Sequence, residues 1–532
     1  MTSKRLFMKP GTRKISRALI SVFDKTGLLD FVKKLDDLGV EIISTGGTAK
    51  VIGEAGYPVK EVSEITDFEE MMDGRVKTLH PKIHGGLLGL RDNQDHLGSM
   101  LENDIPEIDL LVVNLYPFQE TVKEGASYDQ CIENIDIGGP AMIRSAAKNH
   151  NYVTVIVNPN DYENLLNHLS ENDFTTNQDF RKKLAARAFT AISAYDLAIS
   201  NWISGFSNDD MPSSFGFIGN LSIPLRYGEN PHQKAGFYKD SEANSMLQIQ
   251  GKELSYNNIN DIDAAFDLVS EFDKDTFACA IVKHANPCGV ALGRSQSEAY
   301  EKAFNCDQAS AFGGIIALNT CIEKETVELI LNTFTEVLIA PDCTEESKKL
   351  LQKNKGLRVL LTGDLLKGNK SSLTWKKVHG GALLQEENIN SISPKDIKVV
   401  TRKAPKDTEL VDLMFAWKVA KHVKSNAIVL VKDQSTIGIG AGQMSRVDSS
   451  RVAVRKSIDM INSLNLEKEF YNNFVVASDA FFPFADGISE VIKAGAAAII
   501  QPGGSIRDNE VIQAADDAGI SMAFTKVRHF KH

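Results

Sequence analysis

Short apolar runs alternate with segments of helical periodicity along the first part of the chain. Leu28, Phe31, Val32 and Leu35 recur at helical spacing, and Gly39 follows where a C-terminal cap belongs. A longer amphipathic helix is predicted at the end of this region. The pattern predicts an open α/β fold with a mainly parallel sheet. The predicted buried strands are 18–23, 40–44, 108–115 and 152–157, and the long helix is 180–204.

A polar, breaker-rich segment at 205–215 is predicted to be a linker between two large regions. Beyond it, a helix–strand pattern occurs twice, and each strand is followed by a glycine-containing apolar segment. This repetition predicts two related α/β subdomains, which gives domains at 1–204, 216–395 and 396–532. The repeated elements are helix 261–272 with strand 277–283, and helix 408–423 with strand 426–432.

Composition narrows the class of protein. The chain has 532 residues, of which 42% are hydrophobic and 24% charged, as in ordinary globular proteins. Its net charge of −11 argues against a general nucleic-acid or membrane-surface binder. Six cysteines without a C-x-x-C pair indicate a reduced, cytoplasmic protein. Neither a bilayer-spanning run nor a signal-type apolar core is predicted.

A basic segment from Gly74 to Gly86 is the first candidate for chemistry. It carries three basic residue types within ten positions and no acid, although the chain as a whole is acidic. Because Pro81 interrupts it, we expect a loop that grips an anion. Thr45-Gly46-Gly47-Thr48 follows a predicted strand and suits a phosphate-binding turn, although the same letters are common in ordinary strand-to-helix turns. The basic residues are Arg75, Lys77, His80, Lys82 and His84.

Lys283 and His284 leave the end of a buried strand and form the second candidate. They combine a fixed positive charge with a proton carrier that titrates near neutrality. The alternative interpretation is a structural histidine whose ring only forms hydrogen bonds within a loop. Cys288 belongs to part of a zinc-deaminase signature, but Ala291 stands where its second cysteine belongs. No metal site is therefore predicted.

These segments occur in an order that resembles the bifunctional purine biosynthesis proteins. That family fuses a formyltransferase acting on 5-aminoimidazole-4-carboxamide ribotide (AICAR) to a cyclohydrolase that forms inosine monophosphate (IMP). The resemblance covers nearly the whole chain. The motifs that carry it include S-T-G-G-T, D-G-R-V-K-T-L-H-P, N-L-Y-P-F, D-I-G-G-P, A-A-K-N-H, L-R-Y-G-E-N-P-H-Q, K-H-A-N-P-C-G, G-A-G-Q-M-S-R and S-D-A-F-F-P-F.

The resemblance implies that the N-terminal region has a methylglyoxal-synthase-like fold and closes the purine ring. Lys77 and Tyr116 would stabilise an oxyanion, while Asp136 and Lys148 would move protons. Phe23 departs from the small hydroxyl residue of many relatives. The remaining residues that match the family's nucleotide pocket are Asp24, Lys25, Thr45, Gly46, Gly47, Thr48, Arg75, Thr78, Asn114 and Ile137.

The resemblance also implies that the rest of the chain is a transformylase built from two cytidine-deaminase-like subdomains without zinc. His284 would accept a proton, with Lys283 beside the formyl group, and the terminal His532 would lie near the site. Residues that match nucleotide contacts are Arg226, Tyr227, Asn258, Gly313, Glu336, Asn426 and Arg446. Residues that match folate-side positions are Val447, Phe481, Asp486, Ser505, Ile506 and Arg528.

The implied ligands are AICAR, formyl-AICAR and the co-substrate 10-formyltetrahydrofolate, and a monovalent cation is compatible with the resemblance. The family further implies a homodimer with a transformylase site between subunits. Three alternatives remain open at this point. They are a transformylase with a non-catalytic nucleotide-binding N-terminal domain, a non-catalytic nucleotide sensor, and a zinc-dependent base deaminase.

Overall fold

A computed structural model describes residues 11–72, 74–206, 211–239, 246–363, 373–467 and 472–532. The chain divides between Ile218 and Gly219 into two compact units, called here unit 1 and unit 2. Residues 207–210 of the predicted linker lie outside the described part of the chain.

Unit 1 is an α/β unit around a parallel sheet with strand order β4-β3-β2-β5-β6. A separate antiparallel pair joins β1 to β7. The strands are β1 (Arg13–Lys14), β2 (Arg17–Val22), β3 (Glu41–Ser44), β4 (Lys60–Glu61), β5 (Leu110–Asn114), β6 (Thr154–Ile156) and β7 (Thr175–Thr176). The helices are α1 (Leu28–Asp37), α2 (Gly46–Glu54), α3 (Val62–Thr66), α4 (Pro81–Leu88), α5 (Gln94–Glu102), α6 (Phe118–Lys123), α7 (Tyr128–Glu133), α8 (Gly138–Lys148), α9 (Tyr162–Glu171) and α10 (Gln178–Ser204).

The unit 1 sheet is buried on both faces, which explains the continuous apolar runs of its central strands. Ile20 belongs to a core cluster with Phe31 of α1, whereas the adjacent Leu19 belongs to a second cluster with Ile143 of α8. Alternate residues of β2 therefore point into different cores. The predicted parallel sheet is confirmed, and α1 ends just before Gly39, whose φ of 70° favours glycine.

Unit 2 contains a mixed twelve-stranded sheet and two separate antiparallel hairpins, β8–β9 and β16–β17. Its strands are β8 (Asn220–Leu225), β9 (Ala235–Lys239), β10 (Leu247–Gln250), β11 (Phe277–Lys283), β12 (Asn286–Gly293), β13 (Ile315–Leu318), β14 (Val337–Ala340), β15 (Arg358–Leu361), β16 (Leu373–Val378), β17 (Gly381–Glu386), β18 (Lys398–Val399), β19 (Ile428–Lys432), β20 (Ser435–Gly440), β21 (Phe474–Ser478), β22 (Ala496–Gln501) and β23 (Ser521–Phe524). Its helices are α11 (Tyr256–Val269), α12 (Gln296–Cys306), α13 (Gln308–Ala311), α14 (Lys324–Ile330), α15 (Glu345–Leu351), α16 (Asp407–Ala420), α17 (Arg446–Leu464), α18 (Ala485–Lys493) and α19 (Asp508–Asp517).

The large sheet repeats one arrangement on either side of its centre. Its order is β10-β15-β14-β13-β11-β12-β20-β19-β21-β22-β23-β18, so the first half (β10 to β15) mirrors the second half (β18 to β23). From the centre of the sheet to either edge, the strand pairings follow the same order. Two antiparallel pairings come first, two parallel pairings follow, and the edge strand pairs antiparallel. The repeated pattern seen in the sequence therefore corresponds to a repeated topology.

Glycines let a helix lie close against the second strand of each central hairpin. A Cβ atom added to Gly289 would collide with the backbone carbonyl of Ala303 in α12. A Cβ atom added to Gly438 would collide in the same way with the carbonyl of Ala453 in α17. The glycine-containing apolar segments noted in the sequence are thus helix-packing strands in both halves.

The observed helix starts correct two of the sequence predictions. Helix α11 begins at Tyr256 rather than at 261, since Ser255 and Asn258 form a reciprocal capping box. Helix α2 begins at Gly46, so the predicted Thr45–Thr48 turn is largely the first turn of a helix.

Candidate active sites

A cavity of about 730 Å³ lies in unit 1 where β2, β3 and β5 end. Ligands of open α/β sheets gather at such carboxyl ends. Among the residues that match the family's nucleotide pocket, Asp24 is absent from the lining. Those that line the cavity are Lys25, Thr45, Gly46, Gly47, Thr48, Arg75, Lys77, Thr78, Asn114, Tyr116, Asp136 and Ile137. We call this cavity the strand-end pocket.

Two helices begin at the strand-end pocket. Gly46 and Gly47 open α2, and Gly138 and Gly139 open α8. Neither helix has an acidic residue in its first turn, and neither has a side-chain hydrogen bond from its N-cap residue. The first backbone N–H groups and the positive dipole end of α2 are therefore available to an anion, whereas the first N–H groups of α8 already bind the carboxylate of Asp136.

Two of the three cationic side chains that line the pocket are each paired with an acid, whereas the ammonium of Lys25 donates to the carbonyl of Phe23 at 3.2 Å. Arg75 forms an ion pair with Glu133, and the ammonium of Lys77 lies 2.9 Å from a carboxylate oxygen of Glu70. Gly74, with a φ of 89°, leaves room for Lys77, because an added Cβ would lie 2.5 Å from its Cε atom. Local glycine thus allows the lysine to fold back over the loop.

Asp136 is the partly buried acid of the pocket. Burial raises the pKa of its carboxyl, although its Oδ1 accepts a hydrogen bond from the backbone N–H of Gly139 at 2.9 Å. Its own backbone N–H donates to the hydroxyl of Tyr195 at 2.8 Å, and that hydroxyl donates to the carbonyl of Asn134 at 3.2 Å. Tyr195 therefore holds the loop that carries Asp136. The helical pattern of α10 in the sequence does not reveal this contact.

Asn114 ties the end of β5 to the neighbouring loop. Its side-chain oxygen accepts from the backbone N–H groups of Phe23 and Asp24 at 2.6 and 2.9 Å, and its amide donates to the carbonyl of Asp24 at 2.9 Å. Asp24 in turn accepts from Thr26, and this hydrogen bonding lowers the pKa of its carboxyl. Asp24 thus shapes the loop from outside the pocket lining.

Phe23, where many relatives carry a small hydroxyl residue, forms part of the pocket wall. Its ring meets that of Tyr116 edge to face, with centroids 5.7 Å apart. Both rings are partly exposed, so they offer an aromatic surface to a planar ligand.

The predicted anion-gripping loop from Gly74 to Gly86 is only partly correct. Pro81 occupies the first position of α4, which suits proline, so the second half of the segment is helical. His80 caps that helix, Lys82 pairs with Asp67 at 3.1 Å, and His84 contacts Ser145 at 3.0 Å. Only Arg75 and Lys77 of the five basic residues line the pocket.

Lys148 lies at the C-terminal end of α8, whose N-terminus opens the strand-end pocket. A helix of that length, Gly138–Lys148, spans roughly 16 Å. Lys148 lines a separate cavity of about 490 Å³ together with Arg144 and His150. The structure therefore does not bring Lys148 to the pocket within one chain.

In unit 2, Lys283 and His284 stand at the end of β11. His284 begins the two-residue turn to β12 with a φ of 53°, and its side chain is exposed. The ammonium of Lys283 donates to the carbonyl of Phe312 at 2.7 Å. Asn286, just after the turn, accepts from the backbone N–H of Lys424 at 3.0 Å, which connects this turn to the second half of the sheet.

The residues that match nucleotide contacts form three local groups. Arg226 donates to the hydroxyl of Tyr227 at 3.2 Å. Asn258 donates to Glu336 at 3.3 Å, and Glu336 is also paired with Arg358. Gly313 lies near this second group in the first half of the sheet, with a φ of 73° that favours glycine.

The third group is centred on Arg446 in the second half. Its guanidinium is buried and donates to Asn426 at 2.8 Å, to Ser478 at 2.8 Å and to Asp479 at 2.5 Å. Burial of a charge requires such complete pairing. Arg446 therefore fixes Asn426 rather than presenting a free charge.

The folate-side residues are spread over loops and helix starts of the second half. Phe481 and Ile506 are exposed apolar side chains, and Asp486 lies in the first turn of α18. The guanidinium of Arg528 lies over the ring of Phe530, which also approaches the ring of His532. Ser505 accepts from the backbone of Arg507, and Val447 follows Arg446 at the start of α17.

Within the described residues, no group of three or more His, Cys, Asp or Glu side chains is arranged to hold a metal ion. Cys288 is a free thiol, and burial raises its pKa to about 12. A thiol of that kind stays protonated near neutral pH, so the geometry does not favour Cys288 as a nucleophile.

None of the described helices is long and apolar enough to cross a membrane.

Comparison with known proteins identifies two families. The AICARFT/IMPCHase bienzyme model matches residues 146–456, and the MGS-like domain model matches residues 27–141. Proteins named "Bifunctional purine biosynthesis protein PurH" from Cereibacter sphaeroides (strain ATCC 17029) and Paracoccus denitrificans (strain Pd 1222) are each 57% identical over 97% of this chain and 99% of their own length. A solved structure titled "Crystal structure of ForH" is 31% identical, covers 36% of this chain and 99% of its own, and has a TM-score of 0.32.

Proposed function

The chain belongs to the AICARFT/IMPCHase family of bifunctional purine biosynthesis proteins, and from this membership we propose which of its residues act in each reaction. It catalyses the last two steps of IMP synthesis. A formyl group passes from 10-formyltetrahydrofolate to AICAR, and formyl-AICAR then closes to IMP with loss of water. The relatives' names favour this bifunctional interpretation over a transformylase with an inactive N-terminal domain.

We propose that ring closure takes place in the strand-end pocket of unit 1. The phosphate of formyl-AICAR binds at the N-terminus of α2, and Arg75 exchanges Glu133 for a phosphate oxygen. The heterocycle packs against the aromatic pair of Phe23 and Tyr116. Because both phosphate and ring are held, the reacting groups of one molecule are kept in a single conformer.

The chemistry of closure requires one attack and one loss of water. The carboxamide nitrogen attacks the formyl carbon, and the formyl oxygen gains negative charge. Lys77 and Tyr116 stabilise that oxygen, and Asp136 takes the proton from the attacking nitrogen. Protonation of the departing hydroxyl remains assigned to Lys148 on the resemblance alone. The observation that carries the proposal is that Lys77 and the partly buried Asp136 line the same cavity as the uncapped start of α2.

Single substitutions test these roles. Lys77→Ala is expected to lower kcat for closure of formyl-AICAR by about 10²-fold, the usual effect of losing one oxyanion partner. Lys82→Ala is the matched control, because Lys82 comes from the same segment but pairs with Asp67 outside the pocket. Normal closure by both Lys77→Ala and Lys148→Ala would remove both residues from the mechanism.

We propose that formyl transfer uses His284 and Lys283 of unit 2. The amine of AICAR is a weak nucleophile, because its lone pair is delocalised into the ring. His284 accepts a proton from this amine as it attacks the formyl carbon, and the proton is then given to N10 of the folate as the bond from the formyl carbon to N10 breaks, so that neutral tetrahydrofolate leaves. Lys283 polarises the formyl oxygen. The exposed position of His284 on a tight turn, next to a lysine held by Phe312, supports this assignment.

The test supplies AICAR and 10-formyltetrahydrofolate to His284→Ala and measures IMP. Loss of IMP is expected, with full closure when formyl-AICAR is supplied directly, because closure takes place in unit 1. Wild-type production of IMP from AICAR would show that His284 is not the proton acceptor.

We further propose a cytoplasmic homodimer whose transformylase sites combine residues of two copies. The exposed apolar side chains Leu373, Trp375 and Leu383 on the isolated β16–β17 hairpin support burial against another surface. Mixing His284→Ala with Asp486→Asn chains tests the shared site, since one intact site should form in a mixed dimer. Absence of recovered transfer in mixed dimers would contradict it. Cell fractionation tests the cytoplasmic location, which the six free thiols support.

The domain division remains a proposal at 1–204, 216–395 and 396–532, with the last two forming cytidine-deaminase-like subdomains. The mirrored strand order of the unit 2 sheet supports two related subdomains. Limited proteolysis would test the boundaries, because cleavage is expected within 205–215 and near the junction of residues 395 and 396.

A further inference from the structure

The turn that carries His284 is one of two matching turns in the large sheet. His284 and Ala285 connect β11 to β12 with φ values of 53° and 56°. Asp433 and Gln434 connect β19 to β20 with φ values of 50° and 52°. Two consecutive left-handed residues in a two-residue hairpin loop are typical of a type I′ turn.

Non-glycine residues are costly in this conformation, so each turn needs additional support. In the first half, one carboxylate provides it. The backbone N–H of His284 donates to Oδ2 of Asp261 at 3.0 Å, and the N–H of Ala285 donates to Oδ1 at 2.8 Å. Asp261 lies in α11, so a helix fixes the turn through both oxygens of a single side chain.

The second half contains the same support. The backbone N–H of Asp433 donates to Oδ2 of Asp412 at 2.9 Å, and that of Gln434 donates to Oδ1 at 2.7 Å. Asp412 is the sixth residue of α16, as Asp261 is of α11. Both hairpins also have a register shift at the corresponding place, after Ile281 and after Leu430. The two carboxylates are therefore equivalent parts of a repeated structure.

We propose that Asp261 is a positioning residue for formyl transfer, acting through the backbone of His284. The inference rests on the proposed role of His284 as proton acceptor. Charge-assisted bonds to both turn N–H groups set the direction in which Cα of His284 projects its imidazole. Asp412 supports the matching turn in the same way, but the residue that corresponds there to His284 is Asp433. Asp412 therefore serves as a control within the same chain.

The experiment compares Asp261→Asn with Asp412→Asn in the full chain. Asparagine replaces one acceptor oxygen by an amide donor, so each variant loses one of two equivalent turn bonds. Asp261→Asn is expected to lower kcat for formyl transfer by about tenfold or more, since small misplacement of a catalytic group has effects of this size. KM for AICAR and closure of formyl-AICAR should change less than about twofold, and Asp412→Asn should change neither activity.

A double variant separates positioning from a general loss of stability. If Asp261 acts through His284, adding Asp261→Asn to His284→Ala should cause no further loss of transfer. Unchanged kcat in Asp261→Asn, or an equal fall in Asp261→Asn and Asp412→Asn, would overturn the inference. A fully active His284→Ala would instead overturn the proposed role of His284, so the two failures are distinguishable.

Discussion

At the level of single residues, the groups proposed to act as acids and bases depend on neighbours that hold them in place. Asp136 is held by Tyr195 through its N–H and by Gly139 through its carboxylate. Lys77 depends on the absence of a side chain at Gly74. These supporting groups act through geometry, and their contribution is therefore measurable by substitutions that leave the reacting groups unchanged.

Tyr195→Phe should slow ring closure. The substitution removes the acceptor for the Asp136 N–H and the donor to Asn134, so the loop loses two hydrogen bonds. We expect kcat for closure to fall by about tenfold, because Asp136 is no longer fixed against the substrate. Steady-state kinetics with formyl-AICAR would measure this, with KM changed much less.

Tyr162→Phe is the matched control for Tyr195→Phe. The Tyr162 hydroxyl is also buried in unit 1, but it has no hydrogen-bond partner among the residues the structure describes. Its removal should leave closure unchanged. Equal kinetics for both variants would contradict a role of Tyr195 in holding the Asp136 loop.

The pH dependence of closure should report the buried carboxyl. Burial raises the pKa of Asp136 above the ordinary value of 3.8, and two backbone hydrogen bonds only partly oppose this. Asp136 must be ionised to accept a proton, so the rate should fall as pH decreases through this raised pKa. The acid limb of kcat/KM would therefore lie above 3.8, and an acid limb at or below that value would count against Asp136 as the base.

At the level of elements, much of unit 1 follows from the hydrophobic pattern. Strands β2, β3, β5 and β6 and the helix of 28–37 were predictable because continuous apolar runs and helical spacing are distinct in a sheet buried on both faces. The two-residue strands β1, β4 and β7 were not predicted, because they are too short to carry a pattern. The prediction for the basic segment was partly wrong, because a run of basic residues does not show in which direction each side chain points. Pro81 starts a helix there, and Lys82 and His84 turn towards other partners.

The candidate site was predictable to the extent that its residues lie at strand ends and helix starts. Twelve of the named positions line the strand-end pocket, since the loops that carry them meet at one edge of the sheet. Tyr195 and Asp261 could not be predicted, because each lies far along the chain from the residue it holds. A single polar residue on a helix does not show in the sequence which distant residue it will contact.

Gly289→Ala should destabilise unit 2. The new methyl group would collide with the carbonyl of Ala303, and backbone atoms of α12 cannot move aside easily. We expect a loss of about 1–3 kcal/mol in the free energy of unfolding, the usual range for overpacking. Gly381→Ala is the control, because an added Cβ at that position meets nothing within 4 Å. If Gly289→Ala and Gly381→Ala unfolded at the same denaturant concentration, α12 would have accommodated the methyl group.

At the level of the whole molecule, burial of His529 should make unit 2 sensitive to acid. Burial lowers the pKa of this imidazole from 6.5 to about 4, and its Nδ1 lies 3.0 Å from the side-chain nitrogen of Asn388. The unfolded chain therefore takes up the proton first as pH falls. His529 should remove roughly 3 kcal/mol of stability between pH 6.5 and 4, from about 1.4 kcal/mol per pKa unit.

Unfolding of the full chain at several pH values would measure this effect, with His529→Gln as the comparison. The variant should lose less stability on acidification than the wild type, whatever its stability at neutral pH. Parallel curves for the two proteins between pH 6.5 and 4 would exclude His529 as the source of the acid sensitivity.

The matching turns of the large sheet also have a practical use. The 433–434 turn is held by the carboxylate of Asp412 in α16, and no role in catalysis is proposed for it. An Asn-Gly pair suits consecutive left-handed dihedrals better than the native residues do. Because this turn lies beside Leu292, at the opposite end of β12 from His284, a fluorophore or spectroscopic label placed there would report on the centre of the large sheet without altering the chemistry of transfer.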